Sequence, residues 1–250
     1  MRIALCAAAL LLLFATLAAR AADTQTECVI LLHGLTKDST SLQPLQRQLI
    51  DAGFYVANID YPSRQLPIAE LAPLAINAGL EKCLRVNAHP INFVTHSLGG
   101  ILVRFFYEYR SADNVHRVVM LAPPNHGSRI GDLLDHIPII KDINGPAGRQ
   151  LGTGVNSVPL QLGPLRFDAG IIAGNHSLNP LASVLLPGED DGRISVKSAQ
   201  AEAMCAFLVL PQTHGGIAAD REVIRQAVTY LRWGFFTGEA AQQFDCAADG

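Results

Sequence analysis

Short apolar runs rich in β-branched residues recur along this chain. They alternate with stretches whose apolar residues return every three or four positions. Cys28–His33 (CVILLH) reads as a buried strand, and Ser39–Ala52 as a helix with Leu42, Leu45, Leu49 and Ile50 on one face. Phe54–Ile59 reads as a second strand, and a helical pattern runs from about Ile68 to Arg85. Ile91–Thr95 is predicted as a strand, Leu98–Arg110 as a helix and Val115–Leu121 as a strand. Ala169–Ala173 and Phe207–Leu210 are the last strands, and Arg221–Trp233 closes the pattern as a helix. Near-continuous apolar strands separated by helices predict an α/β fold: a compact, mostly parallel, six-stranded sheet covered on both faces. No internal repeat occurs, and no linker marks a second domain.

Two segments stand outside the alternation. Residues 123–166 are Gly- and Pro-rich (NGPAGRQLGTG) with one apolar patch from Leu133 to Ile143. So long a stretch without firm structure is expected to be a surface excursion or a lid over a functional site. At the other place, Arg2, the apolar run Ile3–Ala19 and Ala19-Arg20-Ala21 have the order of a signal peptide with its cleavage site. Seventeen apolar residues also lie at the lower limit for a membrane anchor. Residues 1–21 are therefore expected to be a leader removed on export, to the periplasm or the medium, leaving a domain over 22–250. No cysteine follows the cleavage motif, which argues against a lipoprotein.

Composition narrows the classes further. Pro and Gly, 14 and 21 of 250 residues, are too few for a low-complexity chain, and a charged fraction of 16% is low. The net charge of −3 becomes about −5 without the leader. The 15 Arg and 4 Lys form no run, so no nucleic-acid partner is expected. Cys6 leaves with the leader. Cys28, Cys83, Cys205 and Cys246 remain, an even count compatible with disulfides in an exported chain or with four buried thiols. Their spacing holds no CxxC, which argues against zinc. Cys28 opens the first strand and Cys83 ends a helix leading into the third. Cys205 precedes the last strand and Cys246 follows the last helix. All four fall at the amino-terminal edge of the sheet, and the pairs Cys28–Cys83 and Cys205–Cys246 are predicted.

The sharpest chemical signal is Thr95-His96-Ser97-Leu98-Gly99-Gly100, directly after a strand and directly before a helix. A nucleophilic serine has to stand clear of the sheet on such a turn, with small neighbours. Thr95 stands where G-x-S-x-G has its first glycine. At a helix start Ser97 also meets free N–H groups that favour negative charge, although an ordinary N-cap serine would occupy the same place. His33-Gly34-Leu35 ends the first strand, and the N–H groups of Leu35 and Leu98 are the expected oxyanion donors. His33 itself is expected to tie its loop down. A serine needs a base, and the base needs an orienting carboxylate. Of eight histidines, His214 lies just past the last strand, on the same sheet edge as Ser97. His89 and His116 precede strands, His96 would point away from Ser97, and His126, His136 and His176 lie in or near the irregular region. Gly188-Glu189-Asp190-Asp191-Gly192 supplies the acid. Asp191 is preferred, with Asp190 and then Glu189 as alternatives.

These stretches resemble the α/β-hydrolases of the bacterial lipase and esterase type. The likeness extends to Tyr61-Pro62-Ser63-Arg64, to Ala122-Pro123-Pro124-Asn125-His126-Gly127-Ser128 and to Asp190-Asp191-Gly192-Arg193-Ile194-Ser195-Val196, and spans about residues 28–235. The resemblance implies a serine hydrolase acting on carboxylic esters or lipids through a Ser97–Asp191–His214 triad and an acyl-enzyme, with no cofactor. On that reading the irregular segment is expected to be a lid at about 124–167, with Leu133, Leu134, Ile137, Ile139 and Ile140 against an acyl chain and in passing contact with lipid. The first two strands of the full family sheet are expected to be missing, as in compact lipases. Some relatives bind structural calcium, but no carboxylate cluster here identifies such a site. Thioester, phospholipid and polyester substrates suit the same triad. Outside enzymes, a non-catalytic binding module or an exported interaction protein would share the fold.

Overall fold

Cys28–Leu32 (CVILL) is buried at every position, as a central strand must be when helices cover both faces of a sheet. The computed structural model describes residues 26–135, 138–178, 180–186 and 188–246. Elements follow in the order β1 (Cys28–Leu32), α1 (Gln43–Asp51), β2 (Tyr55–Ile59), α2 (Ile68–Arg85), β3 (Ile91–His96), α3 (Leu98–Tyr107) and β4 (Val115–Leu121). Then come α4 (Arg129–Asp135), α5 (Pro138–Arg149), β5 (Ala169–Gly174), α6 (Pro180–Leu185), α7 (Val196–Ala199), β6 (Ala206–Leu210), α8 (Arg221–Trp233) and β7 (Ala241–Gln243). The sheet order is β2-β1-β3-β4-β5-β6-β7, parallel throughout except for the β6–β7 pair.

Alternation along each strand divides the core in two. Ile30 and Leu32 of β1 pack with Leu71, Ile76, Ile101 and Leu102 of α2 and α3. Val29 and Leu31 face the other way, against Leu45 and Leu49 of α1 and Val223, Ala227 and Tyr230 of α8. The helical period of α1 and α8 thus meets the two-residue period of β1. Glycine sets how closely the layers approach. A Cβ on Gly79 of α2 would come within 2.6 Å of the Ile30 side chain.

Among the described residues the sheet has seven strands, not the six expected. β7 is three residues, Ala-Gln-Gln, on the edge beyond β6. Too short and polar to show an apolar run, it has the character of an edge strand. Both predicted disulfides are present, Cys28–Cys83 and Cys205–Cys246, with Cα separations of 5.8 and 4.8 Å. β7 brings the second pair together, for the Phe244 N–H donates to the Cys205 carbonyl.

The 123–166 segment also differs from expectation, because it contains α4 and α5. Within α5 the chain kinks at Gly145, at φ +65°, where a Cβ would meet the Arg64 carbonyl oxygen at 1.8 Å. Beyond the kink Ala147 is fully buried in the core. The helical period was hidden because Gly and Pro interrupt it (NGPAG), and both residues lower helix propensity. Of the apolar patch expected here, Leu133 is exposed. Leu134, Ile137, Ile139 and Ile140 lie outside the residues whose side chains are described, as residues 1–21 lie outside the described chain. Among the described residues no helix is long and apolar enough to cross a membrane.

Candidate active site

Parallel strands deliver their following loops to one edge of the sheet, and four such loops meet here. Ser97 follows β3 with φ 51° and ψ −116°, a conformation costing a non-glycine residue about 1–3 kcal/mol. The surroundings hold it there. Its N–H donates to the Leu121 carbonyl at 2.9 Å, extending the β3–β4 ladder, while its own carbonyl accepts from Gly100 N–H at 3.0 Å. Two glycines admit the turn. A Cβ on Gly99 would lie 2.5 Å from the Leu32 carbonyl oxygen, and one on Gly34 would lie 2.9 Å from His96 Nδ1 and 3.3 Å from Ser97 Cβ. Thr95, in place of the usual glycine, is accommodated because Gly100 lies beside it. A Cβ on Gly100 would be 3.3 Å from Thr95 Oγ1.

His214 follows β6 and Asp191 lies between β5 and β6. His214 Nε2 is 3.1 Å from Ser97 Oγ, and His214 Nδ1 is 2.8 Å from Asp191 Oδ2. A carboxylate only accepts, so Nδ1 carries the proton and Nε2 is left to receive the serine O–H. The other oxygen of Asp191 accepts from the N–H groups of Arg193 at 2.9 Å and Ile194 at 2.7 Å. Asp191 is buried, so its orientation is set by bonds and not by solvent.

The turn separates three adjacent carboxylates. Asp190 Oδ1 accepts instead from Gly192 N–H at 2.7 Å and from the Ser183 hydroxyl at 3.2 Å. Glu189 is exposed and accepts from Asn175 Nδ2 at 3.3 Å. Asp191 alone of the three meets His214.

No protein-family model and no curated sequence matches the chain. Solved structures do match. The Bacillus licheniformis lipase BlEst2 in its propeptide form is 22% identical, with a TM-score of 0.69 over 88% of this chain and 53% of that one. Its mature form is 20% identical, with a TM-score of 0.63 over 85% and 92%. Phospholipase PlaB from Legionella pneumophila is 17% identical, with a TM-score of 0.60 over 83% and 62%. This chain thus spans about half the length of the propeptide form. The fold is that of the α/β-hydrolases.

Within this hydrolase fold the site opens into a cavity of about 160 Å³, lined by Leu35, Ser97, Ile130, Asn144, Leu151, Ile194 and His214 among others. A cleft of about 840 Å³ between α1 and α8 is larger but is lined by neither Ser97 nor His214. Leu35 borders the site cavity, and Leu98 opens α3, where the first N–H groups have no intrahelical acceptor. His33 lies back from Ser97. Its Nδ1–H donates to the Gly34 carbonyl at 2.9 Å, its ring stacks on Tyr61 at 4.0 Å, and the Tyr61 hydroxyl donates to the His33 carbonyl. Burial pushes its pKa down, so it braces the loop as a neutral ring.

Several contributors were given no role by the sequence. Arg104 of α3 is buried and donates to the Asn125 carbonyl and Oδ1, and to the carbonyls of Leu162 and Gly163. It ties the loop after β4 to the end of the insertion. Burial lowers its pKa to about 10, far enough above neutrality to leave it charged. Ser128 donates to the Arg193 carbonyl at 3.0 Å. A Cβ on Gly148 would lie 3.0 Å from the Leu35 side chain, so the far half of α5 stands directly against the loop that carries Leu35.

Proposed function

We propose that the chain is an exported serine esterase, cleaving carboxylic esters through Ser97, His214 and Asp191 by way of an acyl-enzyme. Ser97 Oγ attacks the ester carbonyl carbon while His214 Nε2 takes the hydroxyl proton. The carbonyl electron pair moves to oxygen, where the N–H groups of Leu35 and Leu98 receive it. On collapse the C–O bond breaks and His214 returns its proton to the leaving alkoxide. Water then repeats the sequence on the acyl-serine, releasing the acid and restoring the serine. Asp191 keeps Nδ1 protonated and stabilises the imidazolium as it forms.

The observation that carries this reading is the unbroken relay from Ser97 Oγ to His214 to Asp191, at 3.1 and 2.8 Å. A non-catalytic module on this fold would have no use for a serine held at positive φ against a correctly protonated imidazole. Residues 22–250 form the hydrolase domain after removal of 1–21, and residues 124–167 form its cap. The two disulfides support export, since such bonds persist in oxidising compartments.

Fluorophosphonate labelling tests the reading. One equivalent should attach to Ser97 with loss of p-nitrophenyl butyrate hydrolysis, and the Ser97→Ala protein should take up none. Labelling elsewhere, or undiminished hydrolysis by Ser97→Ala, would refute it.

A further inference from the structure

Among the buried, titratable side chains that the mechanism above leaves unused, one belongs to the residue next to the nucleophile. His96 ends β3, is 5% exposed, and borders the Ser97 cavity. Its Nε2 lies 3.0 Å from the carbonyl oxygen of His214, and a carbonyl can only accept, so this nitrogen carries the proton. The two imidazoles are tilted by 44° with centroids 5.0 Å apart.

Every other hydrogen-bonding atom of His214 is already committed. Its N–H donates to the Asp191 carbonyl at 2.9 Å and its Nδ1–H to the Asp191 carboxylate at 2.8 Å. With the carbonyl held by His96, Nε2 is the one polar atom left to face Ser97.

We infer that His96 is a positioning residue: its Nε2–H, bonded to the His214 carbonyl, sets the distance between base and nucleophile. This inference rests on the proposed esterase mechanism. Its basis is a closed ring of short links. Ser97 and His96 share a peptide bond, the His96 ring reaches the His214 backbone, and the His214 ring returns to Ser97 Oγ. His214 otherwise sits on a loop, Gln212–Gly216, more than a hundred residues from the serine, with Asp191 as its other anchor. One bond to the nucleophile's own neighbour fixes the loop's height above Ser97.

Two further features suit that task. Gly34 is required on the opposite edge of the ring, where a Cβ would lie 2.9 Å from His96 Nδ1, so the ring is clasped between the Leu35 loop and the His214 loop. Burial, with the His214 ring adding to it, pushes the His96 pKa down to about 3. A neutral ring raises no repulsion when His214 takes up its proton 5.0 Å away.

Glutamine and asparagine separate the donor from the ring. The Nε2 of Gln at position 96 reaches the place of the imidazole Nε2–H, whereas the Asn amide is one carbon shorter. Steady-state ester hydrolysis, fluorophosphonate labelling rates and melting temperatures are to be measured for His96→Gln, His96→Asn and His96→Leu. His96→Leu and His96→Asn should lose on the order of 10²-fold in kcat and in labelling rate, with KM within about twofold. His96→Gln should return to within about fivefold of the parent, again because the cost is one of reacting-group geometry.

If His96→Leu does not fold, the Gln–Asn comparison decides alone. Equal rates for Gln and Asn, or a kcat loss that tracks melting temperature and not the donor, would overturn the inference. A parent protein that takes up no fluorophosphonate at Ser97 would instead remove the esterase reading beneath it.

Discussion

At the scale of single residues, the acid of the proposed triad offers a sharp separation. Asp190 and Asp191 are adjacent, both buried and both hydrogen-bonded to turn N–H groups, yet only Asp191 touches His214. Asp191→Asn should reduce kcat by about 10⁴-fold, because an amide N–H against Nδ1 forces the wrong imidazole tautomer. Asp190→Asn should leave kcat near the parent value, since its oxygen can still accept from Gly192. Steady-state kinetics on both variants checks this, and the reverse ranking would move the acid to Asp190. The placement of Ser97 was legible in sequence because a serine among small residues, after a strand and before a helix, has to stand on the turn between them. The position of His214 at that edge was legible because only one histidine follows the last strand predicted from sequence, Phe207–Leu210. The acid was not separable in the same way. Three consecutive carboxylates differ only in the direction each leaves a turn, and that direction is decided by the N–H groups of Gly192, Arg193 and Ile194. His96 and Arg104 act on carbonyl groups 118 and up to 59 residues away, contacts that no local pattern encodes.

At the scale of elements, α3 lies so close to β1 that its second residue faces backbone. Gly99→Ala should destabilise the protein by about 1–3 kcal/mol, as an inserted methyl must displace the Leu32 carbonyl oxygen 2.5 Å away. Denaturant melts measure the cost, and an unchanged midpoint would show that helix and strand separate freely. Arg104→Met should cost a similar or larger amount, about 2–4 kcal/mol, because it strands the carbonyls of Asn125, Leu162 and Gly163. The six parallel strands could be read from apolar runs because burial on both faces leaves no alternation to confuse them. Helices α4 and α5 could not, since Gly145 and Pro146 interrupt the helical period where the chain turns toward Arg64. β7 has no pattern at all, and its position follows from pairing with β6 and from the Cys205–Cys246 bridge.

At the scale of the whole molecule, the cavity above Ser97 bears on which esters fit. About 160 Å³ is small beside the roughly 300–1,000 Å³ of sites that enclose drug-sized ligands. The wall from Asn144 to Leu151 is anchored by Gly145 on the Arg64 backbone and by buried Ala147. Esters of two- to four-carbon acids should therefore exceed long-chain esters in kcat/KM by at least about tenfold. Activity should rise without a jump as substrate passes its solubility limit. An acyl-chain series measured below and above that limit checks both, and a preference for long chains would mean that the wall swings away.

The covalent cross-links and the chemistry occupy opposite ends of the strands. Cys28 and Leu32 bound β1, so the Cys28–Cys83 bridge and the loop carrying Leu35 are separated by about 16 Å of rigid extended chain. Its loop spans 55 residues, and opening it relaxes the unfolded chain by about 4 kcal/mol in entropy terms. A gentle reductant should accordingly narrow the range of temperature the protein survives while sparing its turnover in the cold. The far end is then a natural place to tether the molecule to a solid support, with the working face left pointing outward.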